Sequence, residues 1–113
     1  MSTIPYASDI LELFLTGPAT WARNVHVAYV DGHIATITLS TADDPDSQHQ
    51  VDYHDVDAAL RELACFGKSK GLPNAVVRVF FGTLSDEDLH PNFDVVAADL
   101  VVQYAVFGEI IYG

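Results

Sequence analysis

Cysteine occurs once in this chain, at Cys65. An internal disulfide framework is therefore excluded, and a reducing compartment fits best. Basic residues are almost as scarce: Arg23, Arg61, Lys68, Lys70 and Arg78 stand against 16 acids, for a formal charge of −11. Phosphate contacts need clustered Lys and Arg, so direct nucleic-acid binding is not expected, and anionic membrane surfaces should be repelled. Near the start of the chain the apolar run 10–15 is broken by Glu12 and has no basic segment before it. It is too short for a signal sequence or a membrane span. The expectation is a cytoplasmic protein with no membrane partner.

Motifs of catalysis are missing too. Glycines are scattered singly, so no phosphate-cradling loop precedes a helix, and there is no G-x-S-x-G turn. His49, Asp52 and His54 have the composition of a metal site, but residues 49 and 54 point to opposite faces of a strand and sit poorly on one helix. His26 and His33 share a hairpin face yet stand about 13 Å apart by strand rise, too far for one ion. The run from Asp44 lacks the glycine and distal glutamate of a calcium loop. Cys65 falls opposite the apolar stripe of its helix, with Arg61 and Lys68 a turn either side. Basic neighbours lower a thiol pKa, but a nucleophile would still need a histidine base. No catalytic residue, cofactor or metal is assigned.

What remains is enough for one domain: 113 residues, half of them hydrophobic, support a single core. Ser8, Asp9 and Glu12 mark a helix N-terminus, and residues 10–15 leave a polar stripe only at Asp9, Glu12 and Thr16. Gly17-Pro18 should end that helix, glycine through a left-handed cap. Trp21 is expected in the core. Asp31-Gly32 signals a two-residue hairpin turn between strands 24–31 and 33–41. Unbroken pairing sets Val30 opposite His33, Tyr29 opposite Ile34 and Val27 opposite Thr36. One face then carries Val25, Val27, Tyr29, Ile34, Thr36 and Thr38.

Pro45 makes the next segment a loop, with 48–53 as a short edge strand. His54 or Asp55 should cap a second helix, whose buried stripe is Val56, Ala59, Leu60, Leu63 and Gly67, stopped by Gly71 and Pro73. The Val- and Phe-rich runs 75–84 and 93–107 read as strands. Arg78 would face Asp99, and Val77, Val79, Phe81, Val96, Ala98, Leu100 and Val102 would form a core face. Between them, Ser85 would cap one helical turn. The expected fold is α+β: two helices packed on one antiparallel sheet, in the order α-β-β-α-β-β, with an extra strand at 110–112.

The charge is concentrated in the run from Asp43 to Asp57 and again around Asp86. Asp43, Asp44, Asp46, Asp52, Asp55 and Asp57, with Asp86, Glu87 and Asp88, form the candidate partner surface, and Tyr53 is its candidate aromatic anchor. The functional expectation is a non-catalytic inhibitor that fills the basic cleft of a nucleic-acid-handling protein, by imitating phosphates, in the manner of immunity or anti-defence proteins. High-salt adaptation or simple solubility explains the same charge without a partner. Two alternatives stand beside it: a small enzyme or ligand-binding domain with a His/Asp-lined pocket, and an assembly subunit or homodimer joined at 110–112.

Overall fold

A computed structural model of the chain describes residues 5–17 and 20–110. The order is α1 (Pro5–Thr16), β1 (Ala22–Val30), β2 (His33–Thr41), β3 (Asp44–Asp52), α2 (Tyr53–Phe66), α3 (Asn74–Asp86) and α4 (Val95–Phe107). A 3-10 turn, Gly67–Lys70, follows α2. The class is α+β as expected, with four helices on one antiparallel sheet of order β1-β2-β3.

The hairpin forms where Asp31-Gly32 places it, with φ of 53° and 80° at the two turn residues. Val30 faces His33 and Tyr29 faces Ile34. Beyond that the register departs from unbroken pairing. Ala35 is an extra residue on β2, so Ala28 faces Thr36 and Val27 faces Ile37. This bulge decides which side chains are buried. It brings Ile37 and Leu39, both 0 % exposed, onto the face of Ile34. Unbroken pairing would have put the hydroxyls of Thr36 and Thr38 there, at a desolvation cost.

β3 continues the sheet on the other side of β2. It pairs regularly over His49–Asp52, with Val51 opposite Ile37 and Asp52 opposite Thr36, and meets β2 again where Asp44 faces Thr41. Pro45, which has no N–H to donate, lies in the irregular interval between these contacts. The expected loop is thus an irregular half of a longer edge strand.

The clearest correction concerns 75–84 and 93–107, which are helices, not strands. α4 is capped by Asp94, whose carboxylate accepts from the N–H of Ala97, and ends at left-handed Gly108 (φ 72°). It packs against α1, α2 and β3 together, so its sequence is apolar on nearly every face. Such a helix lacks the polar stripe that separates it from a buried strand. The proposed Arg78–Asp99 pairing does not exist: Arg78 is exposed on α3, and Asp99 accepts from Trp21 and Gln103. Of the supposed strand-face residues, Val79, Ala98 and Val102 are buried, while Phe81 and Val96 are exposed. Residues 85–86 belong to α3, and Glu87 (φ 55°) closes it. Ile110 is outside any strand, and 111–112 lie outside the described residues.

Packing follows from these elements. Among the described residues α1 packs against β2, α2 and α4 pack against β3, and α3 packs against α2. The expected stripe of α2 is buried throughout, and Trp21 is core, between Phe14 and Phe107. Gly17 does not take a left-handed conformation. A Cβ there would stand 3.1 Å from Val95, so glycine serves the close approach of α1 to the start of α4. No helix among the described residues is long and apolar enough to cross a membrane.

Candidate functional site

The acidic run is not one patch. β3 carries it along the edge of the sheet, so Asp44 and Asp52 stand at opposite ends of a nine-residue strand, about 26 Å apart at ~3.3 Å per residue. At the β2–β3 turn Asp43, Asp44 and Asp46 are exposed. Asp44 is held there by its N–H donating to Thr41 Oγ1 at 3.2 Å. A polar concavity of about 250 Å³ lies beside them, lined by Asn24, His26, Ser40, Asp46 and Gln48 among others.

At the far end the acids do structural work. Asp52, not His54 or Asp55, caps α2: its Oδ1 accepts from Asp55 N–H at 2.9 Å, and Asp55 Oδ2 accepts from Asp52 N–H at 3.1 Å. This reciprocal box satisfies two otherwise unpartnered donors of the helix start. Burial and the adjacent Asp52 carboxylate push the Asp55 carboxyl up, against the hydrogen bond from Asp52 N–H that holds it down. Asp57 accepts from the Tyr6 hydroxyl and pairs with Arg61 at 2.9 Å. Tyr53 is only 7 % exposed, and its buried hydroxyl has no hydrogen-bond partner among the described residues. Its ring therefore belongs to the core and is not presented as a surface anchor.

The second acidic segment finds different company. Asp86, Glu87 and Asp88 are exposed where α3 gives way to the α3–α4 loop. Asp88 comes close enough to Asp9 of α1 for their charges to interact. Burial raises the Asp9 carboxyl, and the charges of Glu12 and Asp88 raise it further, with His33 of the hairpin tip opposing them. Asp9, Glu12 and Asp88 therefore crowd one corner of the molecule. Asp9 and Glu12 were legible only as the polar stripe of a helix. Nothing in their spacing announces the loop that joins them.

Among the described residues, no three His, Cys, Asp or Glu side chains converge as metal ligands would. Cys65 is exposed on α2, opposite the buried stripe. An apolar groove of about 320 Å³ separates α3 from α4, lined by Val76, Val79, Ala97 and Leu100 with Asn92 and Asp94 among its polar residues. No protein-family model, no curated protein and no solved structure matches the chain.

Proposed function

We propose that this protein is a non-catalytic binding module that engages a basic protein partner through its acidic surfaces. The observation that supports it most is the corner of Asp9, Glu12 and Asp88, where the charges of Glu12 and Asp88 add to the cost that burial already sets on the Asp9 carboxylate. A lysine- or arginine-rich surface relieves that repulsion, and the field of a chain at −11 speeds encounter with such a surface. The turn carrying Asp43, Asp44 and Asp46 supplies a second cluster, about 26 Å from Asp52 along β3 by strand rise. A target that handles nucleic acid fits this reading, because its own cleft is built to receive closely spaced negative charge. Neutralising such a target, as immunity and anti-defence proteins do, is then the biological role.

The experiment separates the two clusters from the fold. One variant carries Asp43→Asn, Asp44→Asn and Asp46→Asn; the other carries Asp9→Asn, Glu12→Gln and Asp88→Asn. Asp52, Asp55 and Asp57 are left alone because they hold α2. Wild type should capture a basic protein from a lysate, and the purified pair should bind less tightly as salt rises. At least one variant should lose that partner while still melting cooperatively and no less stably than wild type. Equal recovery by all three proteins, or binding indifferent to salt, would sink the reading and leave the charge as a solubility feature.

A further inference from the structure

The two edges of the sheet are treated differently. β3 carries Asp44, Pro45 and Asp46, which discourage another strand from pairing. β1 has no acid and no proline between Ala22 and Val30. Three of its apolar side chains lie in the open, Tyr29 64 % exposed, Val30 50 % and Val25 36 %, while Ala22 and Val27 are partly buried against the core. The helices lie against β2 and β3, so β1 overhangs the layer that would cover it. On a molecule of charge −11, this is a long stretch of strand where a like-charged body can approach without meeting a carboxylate.

We infer that β1 pairs antiparallel with β1 of a second copy of this chain, about a two-fold axis midway between Val27 and the partner's Val27, joining the two three-stranded sheets edge to edge. The register follows from complementarity. Val27, which opposes Ile37 on β2, and Tyr29, which opposes Ile34, share one face, and Val25 follows in the irregular step between Arg23 and His26. Centred on Val27, the pairing sets Val25 against the partner's Tyr29 and Val27 against the partner's Val27. It also sets Arg23 against the partner's Asp31. Both charges are exposed, and among the described residues neither has an ion-pair partner within one copy. An axis perpendicular to the sheet has to lie midway between a residue and its own copy, so that paired side chains share a face. Centred on Ala28 it would put Val25 against the partner's Asp31, and centred on His26 it would put Arg23 against the partner's Tyr29. Only the Val27 register matches apolar with apolar and cation with anion. The irregular backbone between Arg23 and His26 ends the ladder, and the length of the arginine side chain spans the remaining distance.

Sedimentation velocity across a concentration series at physiological ionic strength tests this. Wild type should pass from monomer to dimer, and added salt should strengthen the dimer by screening two like-charged bodies. That is opposite in sign to binding a basic partner. Val27→Lys places an ammonium group on either side of the axis and should yield monomer. Arg23→Asp converts two attractions to repulsions and should weaken the dimer by roughly tenfold, while Arg23→Asp with Asp31→Arg should restore it. The paired charge variants decide the matter even if Val27→Lys fails to fold. Wild type that stays monomeric at ~100 μM, a range that covers modest affinities, would overturn the inference. So would a dimer unaffected by Arg23→Asp, or one that the double variant does not recover.

Discussion

The indole N–H of Trp21 donates to Asp99 Oδ1 at 2.6 Å, joining the start of the sheet to the middle of α4. The other oxygen of the same carboxylate accepts from the Gln103 side chain at 2.9 Å. Trp21 also stacks at a tilt between Phe14 and Phe107. One half-buried carboxylate therefore fixes the ring around which α1, β1 and α4 meet. Asp99→Ala removes the acceptor of both donors and should cost about 1.5–3 kcal/mol, the range for hydrogen bonds to charged groups. Asp99→Asn keeps one acceptor and should cost less. Urea unfolding followed by the fluorescence of Trp21, the sole tryptophan, measures both.

Gly82 lies within α3, where alanine would ordinarily be favoured by roughly 0.8–1 kcal/mol. Here a Cβ would stand 2.7 Å from His90 Cδ2. The ring is held in place, because its Nδ1 accepts from Asn92 N–H and the His90 N–H donates to Thr83 Oγ1. Gly82→Ala should therefore destabilise the protein. The same change in a His90→Ala background should be neutral or stabilising. Thermal melts of the single and double variants report the reversal.

Asp52→Ala removes the cap of α2 and should lower stability by about 0.5–2 kcal/mol. Asp52→Asn and Asp52→Ser keep an accepting oxygen and should fall well short of that loss. If the alanine variant matched wild type in chemical denaturation, the capping box would have no energetic weight.

Burial, reinforced by the hydrogen bond to Asp57, pushes the Tyr6 hydroxyl from 10.0 up to about 12. The folded chain keeps its proton where the unfolded chain releases it. The linked stability is thus intact below pH 10 and drains away as pH rises toward 12. Tyr6→Phe should flatten this alkaline slope, which denaturation midpoints collected across that window would reveal.

Asp9 shifts in the same direction for partly different reasons: burial first, then Glu12 and Asp88. Its charge opposes folding at neutral pH, and that cost disappears as pH falls through its raised folded value toward the ordinary carboxylate range. Asp9→Asn should raise the melting temperature at pH 7, with the advantage shrinking in acid. Scanning calorimetry at both pH values checks it.

The parts legible in the sequence are those where local chemistry and burial agree. Asp31-Gly32 dictates its turn, and the stripe of α2 from Val56 to Leu63 repeats at helical spacing. α3 and α4 escaped because Val and Phe favour strands while tertiary burial overrides that preference. Their signals were present: 13-residue runs longer than most strands, Asp94 three residues ahead of Ala97, and Gly108 past the end. The bulge at Ala35 could be inferred only by asking which register buries Ile37 and Leu39. The acidic run was legible as charge, but its division between two ends of β3 depends on a strand running through Pro45. Tyr53 shows the same limit: its neighbours in sequence are acids, and its neighbours in space are core.

β3 ends at Asp52 and α2 begins at Tyr53, with no connecting residue between them. The residue that pairs with Thr36 in the sheet is the one that closes the first turn of the helix. Strand and helix are consequently a single mechanical body: peeling β3 from β2 uncaps α2, and fraying α2 frees the last rung of the ladder. Amide exchange along 49–60 should then report one shared opening event, and a load applied at Asp44 is borne by the α2 end of the molecule.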